Sequence, residues 1–301
     1  MPEKVFIFAN PIAGRGKGKM LARKMERELS AAGFSVQTFL ERPSDVSPTI
    51  FDDPPQTVIS IGGDGTLRGV VNLFYANHRD GPAILPIPMG TANLMSRHLS
   101  NDWQETGTVR AVVETLRRRK IRRLDAGRAN GRLFLLMAGV GIDAQIVHML
   151  DRMRRGPIDM TSYVLPFAFT FASYEFPPIT VSVDGQTLLH DTPAIAMIGN
   201  VKEYGTGFPI LPDAVPDDGL LDVCIMPCHD RRQLIEILVL VAAGEHTTRD
   251  DVIYTRGKSA QIDSNKQVAV QIDGDSAGFT PLSVDLLPAR VPFLVPAGVP
   301  R

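Results

Sequence analysis

Cysteine and tryptophan are nearly absent from this chain, which has two cysteines, Cys224 and Cys228, and one tryptophan in 301 residues. Two cysteines are too few for a disulfide framework, so a reducing compartment is expected. Excess charge of either sign is lacking too. The 32 basic and 33 acidic side chains leave a formal net charge of −1, which argues against bulk electrostatic binding of nucleic acid. Long apolar runs are missing: no segment reaches the ~18 residues of a spanning helix. The nearest, residues 163–174 and 234–243, are both too short. The chain passes almost at once into Val5-Phe6-Ile7-Phe8, with no basic n-region and apolar stretch, so no signal peptide is expected. The expected location is the cytoplasm, either free or peripheral on the inner membrane face. There is no internal repeat and no low-complexity segment. With 44% hydrophobic residues, the chain is long enough for two cores.

What is present concentrates in residues 58–67, VISIGGDGTL. An apolar strand delivers the backbone to Gly62-Gly63-Asp64-Gly65-Thr66. Glycines there let backbone N–H groups approach a phosphate and adopt positive φ. Asp64 cannot bind phosphate itself, but it can hold a Mg²⁺ that bridges phosphates. A nucleotide-triphosphate site is one reading. The other is a tight strand–helix connection in which Asp64 caps the following helix.

The first 125 residues alternate as an α/β domain. Strands are expected at residues 5–8, 35–39, 57–61 and 83–87, and helices at 19–32 and 67–76, with Gly33 ending the first. A further helix is expected after Pro88-Met89-Gly90-Thr91-Ala92-Asn93. Strands alternating with helices predict a mostly parallel sheet, with ligands beyond the carboxyl ends of its strands. Three unusual turns follow three of those strands, so all can serve one crevice. After Asp125 the texture becomes β-rich and antiparallel, with short runs at 133–137, 179–183 (turn at Asp184-Gly185), 195–198, 220–226 and 268–272. Helices interrupt it near residues 144–153 and 231–243. The predicted domains are residues 1–124, rejoined by a tail at 285–301, and residues 125–284.

The first turn, Asn10-Pro11-Ile12-Ala13-Gly14-Arg15-Gly16-Lys17-Gly18-Lys19, fits neither a Walker A loop nor a dinucleotide fingerprint. Its glycine spacing is G-x-G-x-G, and Lys19 falls five positions after Gly14. It is a basic loop opening a helix, able to cover phosphates with N–H groups and cationic side chains, or merely a solvated turn.

Taken together, Asn10-Pro11, the GGDGT turn and residues 88–93 resemble three motifs of the diacylglycerol kinase/sphingosine kinase superfamily, and most of all its bacterial lipid kinases. The likeness continues in order through Leu124-Asp125-Ala126-Gly127, Gly139-Val140-Gly141-Ile142-Asp143-Ala144, Pro216-Asp217-Asp218-Gly219-Leu220-Leu221-Asp222 and Ile272-Asp273-Gly274-Asp275. GGDGT alone is shared with NAD kinases and, loosely, phosphofructokinases. An NAD kinase, however, would show an N-x-G-x-x-G-F-L-like segment at residues 88–93.

The resemblance implies an N-terminal nucleotide-binding α/β domain and a C-terminal β-sandwich, with ATP in the cleft between them. It implies an ATP site formed by Asn10, Gly62, Gly63, Asp64, Gly65, Thr66, Leu67, Arg68, Gly69, Gly90, Thr91 and Asn93. Asp64 would organise Mg²⁺, joined by Asp125 through water. Asp218 and main-chain oxygens near Val215 and Leu220 would hold a separate structural Mg²⁺, an oxygen-only set that suits a hard cation. Read without the family, Asp217-Asp218-Gly219 is an ordinary Asx turn.

Phosphoryl transfer needs charge neutralisation, in-line placement and a group that takes the acceptor's proton. The family uses a glutamate in an Asp-Gly-Glu motif for that proton, and Asp275 holds the position here. Asp273 is the neighbouring alternative, expected two residues away on the same strand face. Asp275 is one methylene shorter than glutamate, about 1.5 Å less reach. Where the family commonly has an acid after the Asn of G-T-x-N, this chain has Leu94.

A lipid acceptor needs an apolar slot. Residues 160–176, MTSYVLPFAFTFASYEF, would supply it or simply form core. Arg152-Met153-Arg154-Arg155 could meet anionic headgroups at about 1 kcal/mol per basic residue. The second basic run, residues 117–123, suits a solvated helix end. The leading expectation is ATP- and Mg²⁺-dependent phosphorylation of a lipid hydroxyl, of a diacylglycerol or sphingoid type, with no nucleic-acid partner. The alternatives are a kinase of a soluble polyol or nucleotide and a non-catalytic nucleotide or lipid sensor.

Overall fold

A computed structural model of the chain describes residues 2–14, 16–77, 80–99, 108–153, 164–205 and 207–296. Its elements in chain order are β1 (Lys4–Ala9), α1 (Lys17–Ala31), β2 (Ser35–Phe39), β3 (Thr57–Gly62), α2 (Asp64–Tyr75), β4 (Ala83–Pro88), α3 (Leu94–His98), α4 (Thr108–Arg118) and β5 (Ile121–Ala129). There follow β6 (Arg132–Phe134), β7 (Met137–Val140), α5 (Ile142–Met153), α6 (Val164–Ser173), β8 (Pro178–Val183), β9 (Gln186–Gly199), β10 (Leu221–Pro227) and α7 (Arg231–Ala243). The last are β11 (Ile253–Gly257), β12 (Ser259–Asp263), β13 (Ala269–Ile272), β14 (Asp275–Phe279) and β15 (Leu282–Leu294). Two compact units divide the chain, Met1–Leu124 with Ala289–Arg301, and Asp125–Pro288.

The first unit is a parallel sheet ordered β2-β1-β3-β4, with the end of β15 alongside β4 through Phe293 opposite Ile84. Every residue of β3 is buried, as expected of a central parallel strand covered on both faces. Helix α1 buries Gly18, Ala22, Met25 and Leu29, a 4-3-4 spacing that lays one apolar stripe on the sheet. It stops because Gly33 takes φ 94 and Phe34 N–H closes back on Leu29 O at 3.1 Å, a turn that glycine enters without a Cβ clash. Val5, Ile7, Met25, Ile59, Leu85 and Val112 meet in its core.

The second unit is antiparallel throughout. One sheet runs β14-β13-β7-β9-β10-β11, and the other pairs the start of β9 with β8, then β12 and the start of β15. Strand β9 therefore serves both sheets, and residues of both, including Val140, Val181, Ile198, Val223, Ile262 and Val284, share one core. The architecture is an α/β unit with a parallel sheet plus a β-sandwich.

Three local expectations change. The apolar run 133–137 is not one strand, because it breaks at Leu135 and Leu136 between β6 and β7. Helix α2 begins at Asp64, inside the glycine turn, rather than at Leu67. The aromatic stretch is not core in its described part: on α6, Leu165 is 58% and Phe169 59% exposed, and only Pro166 and Thr170 are buried. Arg154, Arg155 and Tyr163 lie outside the described residues. No described helix is long and apolar enough to cross a membrane.

Candidate active site

Strands β1, β3 and β4 each end in a turn, and the three turns are bonded to one another. Asn10 N–H donates to Ile61 O at 3.0 Å, Gly14 N–H to Met89 O at 3.0 Å and Met89 N–H to Gly62 O at 2.8 Å. The glycines are required by the closeness of these backbones. A Cβ on Gly90 would stand 2.5 Å from Gly63 Cα, and one on Gly18 would stand 2.4 Å from Asn10 O. Asn93, left-handed at φ 50, clips the third turn shut: its Oδ1 accepts from Gly90 N–H at 2.9 Å and its Nδ2 donates to Gly90 O at 2.8 Å. The result is a backbone-lined cradle at the carboxyl edge of a parallel sheet, where phosphate-bearing ligands bind.

Asp64 does not cap the helix that follows it. Gly63 is the N-cap of α2, and the Asp64 carboxylate reaches α3 instead. There its Oδ2 accepts from Leu94 N–H at 3.0 Å and its Oδ1 from Met95 N–H at 3.1 Å. Burial raises its pKa, and these N–H bonds offset that only in part. This half-buried, partly compensated carboxylate is an oxygen ligand of the kind that suits a hard cation. Among the described residues no three His, Cys, Asp or Glu side chains gather to hold a metal. A Mg²⁺ here would therefore complete its shell with phosphate and water, which suits that ion.

The remaining expected nucleotide residues divide by exposure. Thr66 folds over Gly62, where a Cβ would meet its Oγ1 at 2.4 Å. Gly65 and Thr91 are exposed. Leu67 and Arg68 are 3% and 8% exposed and lie within α2, where Leu67 N–H is already bonded to Gly63 O at 3.1 Å, so their place is in the packing of the helix rather than at a ligand. Gly69 makes room for Pro43, whose ring would lie 3.1 Å from a Cβ, which is a packing reason for that glycine.

In the second unit, Asp125 is 2% exposed and fastened to the loop that carries Asp218. Its N–H donates to Pro216 O at 2.7 Å, its Oδ2 accepts from Gly219 N–H at 2.8 Å, and its carbonyl accepts from Asn200 Nδ2 at 2.9 Å. Asp218 Oδ1 accepts from Leu220 N–H at 3.0 Å, an Asx turn, and its Oδ2 lies 4.0 Å from Arg256 Nη1. Val215 and Leu220 lie on the same loop, so carboxylate and carbonyl oxygens are within a few residues of each other.

Asp273 and Asp275 do not share a strand. Asp273 (φ 48) and Gly274 (φ 78) form the turn between β13 and β14, the left-handed pair of a type I′ hairpin. The Asp273 carboxylate accepts from the N–H groups of Leu135, Leu136 and Met137 at 3.1, 2.9 and 3.0 Å. That bond set explains the break between β6 and β7, and it commits Asp273 to structure rather than proton transfer. Asp275 is the first residue of β14 and is half-buried. Beside the hairpin lie Gln271 and Asp143, which sequence reasoning left without a role. Asp143 was visible within a quoted motif, but its partner is 128 residues away, and no local spacing signals it.

The diacylglycerol kinase catalytic domain matches residues 4–129, and the YegS C-terminal NAD kinase beta sandwich-like domain matches residues 137–295. The chain is 26% identical over 311 residues to a diacylglycerol kinase of Staphylococcus carnosus (strain TM300), covering 99% of this chain and 97% of that protein. It is 27% identical over 308 residues to a diacylglycerol kinase of Staphylococcus epidermidis (strain ATCC 35984), covering 99% and 94%. A solved structure described as a diacylglycerol kinase from Bacillus anthracis str. Sterne superposes with a TM-score of 0.73 at 25% identity over 99% of both chains. A second solved chain from that organism, 23% identical over 99% of this chain and 97% of its own, has a TM-score of 0.75 and shares the fold. With both of its units matched in order, the chain belongs to the family of lipid kinases that joins a diacylglycerol kinase catalytic domain to a YegS-type β-sandwich.

Proposed function

We propose that the protein transfers the γ-phosphoryl group of ATP to the hydroxyl of a diacylglycerol-like or sphingoid lipid, with Mg²⁺. The observation that carries this reading is the cradle of the first unit, where Gly63 and Gly90 meet backbone to backbone and Asp64 lies beside them. Backbone N–H groups there would hold phosphate oxygens in place, and placement with charge neutralisation is most of what phosphoryl transfer requires. Mg²⁺, when held by Asp64, would supply that neutralisation. Asp275 would take the proton of the acceptor hydroxyl as the oxygen attacks phosphorus and ADP leaves. The loop of Val215, Asp218 and Leu220 would hold a second, structural Mg²⁺.

The relatives named as diacylglycerol kinases favour a glycerolipid acceptor. Exposed Val164, Leu165, Phe167 and Phe169 on α6, with exposed Arg152 at the end of the adjoining α5, suit a peripheral contact with a bilayer that contains such a lipid. Phe169→Glu should abolish sedimentation with phosphatidylglycerol vesicles without altering the melting temperature.

The direct experiment is transfer of label from [γ-³²P]ATP to a panel of lipids, with and without Mg²⁺. Labelled lipid that disappears with Mg²⁺ omitted, and with Asp275→Asn, is the expected result. Label on a water-soluble polyol in the absence of vesicles, or undiminished transfer by Asp275→Asn, would overturn the reading. Mass spectrometry of co-purified lipid identifies the acceptor.

A further inference from the structure

Asp275 lies in a hairpin whose neighbouring backbone groups are fastened by side chains from elsewhere in the second unit. Ser276 N–H donates to Asp151 Oδ2 at 3.1 Å, and Asp273 is tied to residues 135–137 as described above. The remaining turn residue, Gly274, donates its N–H to Gln271 Oε1 at 2.9 Å. Gln271 is wholly buried, and a buried amide has two ends to satisfy. Its Nε2 donates to Asp143 Oδ2 at 3.3 Å, so the acid fixes which way round the amide sits and leaves its oxygen facing the turn.

The room for this pair comes from Gly139, which stands opposite Gln271 in the β7–β13 ladder. A Cβ at Gly139 would lie 2.4 Å from Asp143 Oδ2 and 2.7 Å from Gln271 Nε2. The Gly139-Val140-Gly141-Ile142-Asp143-Ala144 motif thus has a physical purpose: its first glycine vacates a space that its aspartate and Gln271 fill. Asp143 Oδ1 is shielded from solvent, so holding the acid there carries a solvation cost.

We propose that Gln271 and Asp143 are positioning residues for the proton acceptor: the acid orients the amide, the amide holds the Gly274 turn, and the turn places Asp275. This rests on Asp275 being the base. A positioning pair matters all the more here because aspartate has less reach than glutamate, and an error of about 1 Å can cost on the order of a hundredfold in rate.

Exchanging donor and acceptor tests the idea on the full chain. Asp143→Asn keeps an acceptor for Gln271 Nε2 and serves as the background of the double variant. Gln271→Glu, nearly isosteric, turns a second carboxylate oxygen toward Asp143. It should speed hydrogen–deuterium exchange across residues 271–279 and lower kcat at least about tenfold, with KM for ATP unchanged. Asp143→Asn/Gln271→Glu restores a donor facing an acceptor and should recover both readouts to within about threefold. Melting curves keep the assays well below unfolding. Parental exchange and kcat in Gln271→Glu, or no recovery in the double variant, would overturn the proposal while leaving Asp275 as base. Parental kcat in Asp275→Asn would remove the base assignment itself, and the positioning role with it.

Discussion

At Gly90 a single methyl group would collide with the backbone of the neighbouring turn, 2.5 Å from Gly63 Cα. Backbone cannot rotate aside as a side chain can, so the two turns must separate. Gly90→Ala is expected to lower the rate of phosphoryl transfer about a hundredfold, the scale of a 1 Å misplacement, read with labelled ATP. Asp143 carries a different kind of information. Burial pushes its carboxyl from the usual 3.8 up to about 6. The folded protein therefore holds a proton over a range in which the unfolded chain has released it. The stability linked to that proton is complete below pH 3.8 and is lost as the pH rises through about 6. The slope is at most about 1.4 kcal/mol per pH unit. Urea titrations from pH 4 to 7 should show this component in the parent and not in Asp143→Asn.

Among the elements, the β13–β14 hairpin has a form that depends on contacts far away in sequence. Its turn chemistry, Asp-Gly with both residues at positive φ, is readable locally. That Asp273 would collect three N–H groups from residues 135–137 is not. Asp273→Ala strands those donors, at about 1–3 kcal/mol for each that remains buried. A loss of at least about 2 kcal/mol in urea unfolding is expected, with the break between β6 and β7 exchanging faster. Helix α2 makes a similar point. Its apolar residues announced a helix, but its first turn was hidden inside the glycine motif, because glycine and aspartate are poor helix formers whose helical state is decided by the strand they follow.

For the molecule as a whole, the oxygen-only loop of Val215, Asp218 and Leu220 predicts that Mg²⁺ stabilises the fold apart from any catalysis. Millimolar Mg²⁺ should raise the melting temperature of the parent by a few degrees, and Asp218→Ala should abolish the rise, read by calorimetry without nucleotide. An unchanged response in Asp218→Ala would assign the effect to Asp64 or to the surface.

Much of this protein followed from its sequence. Strand β2, helix α7 and the β8–β9 turn fall where local patterning puts them, because apolar periodicity and glycine at positive φ act over a few residues. The α/β-then-β order and the family followed from the ordered motifs. Tertiary structure decided which groups those motifs bring together: Asp64 with the start of α3, Gly63 against Gly90, Asp273 with the 135–137 bend, and Gln271 between Asp143 and Gly274. Apart from the three-residue step between Gln271 and Gly274, each joins residues some 27 to 138 positions apart. Hydrogen bonding and steric contact depend on distance in space, and only the folded chain sets that distance.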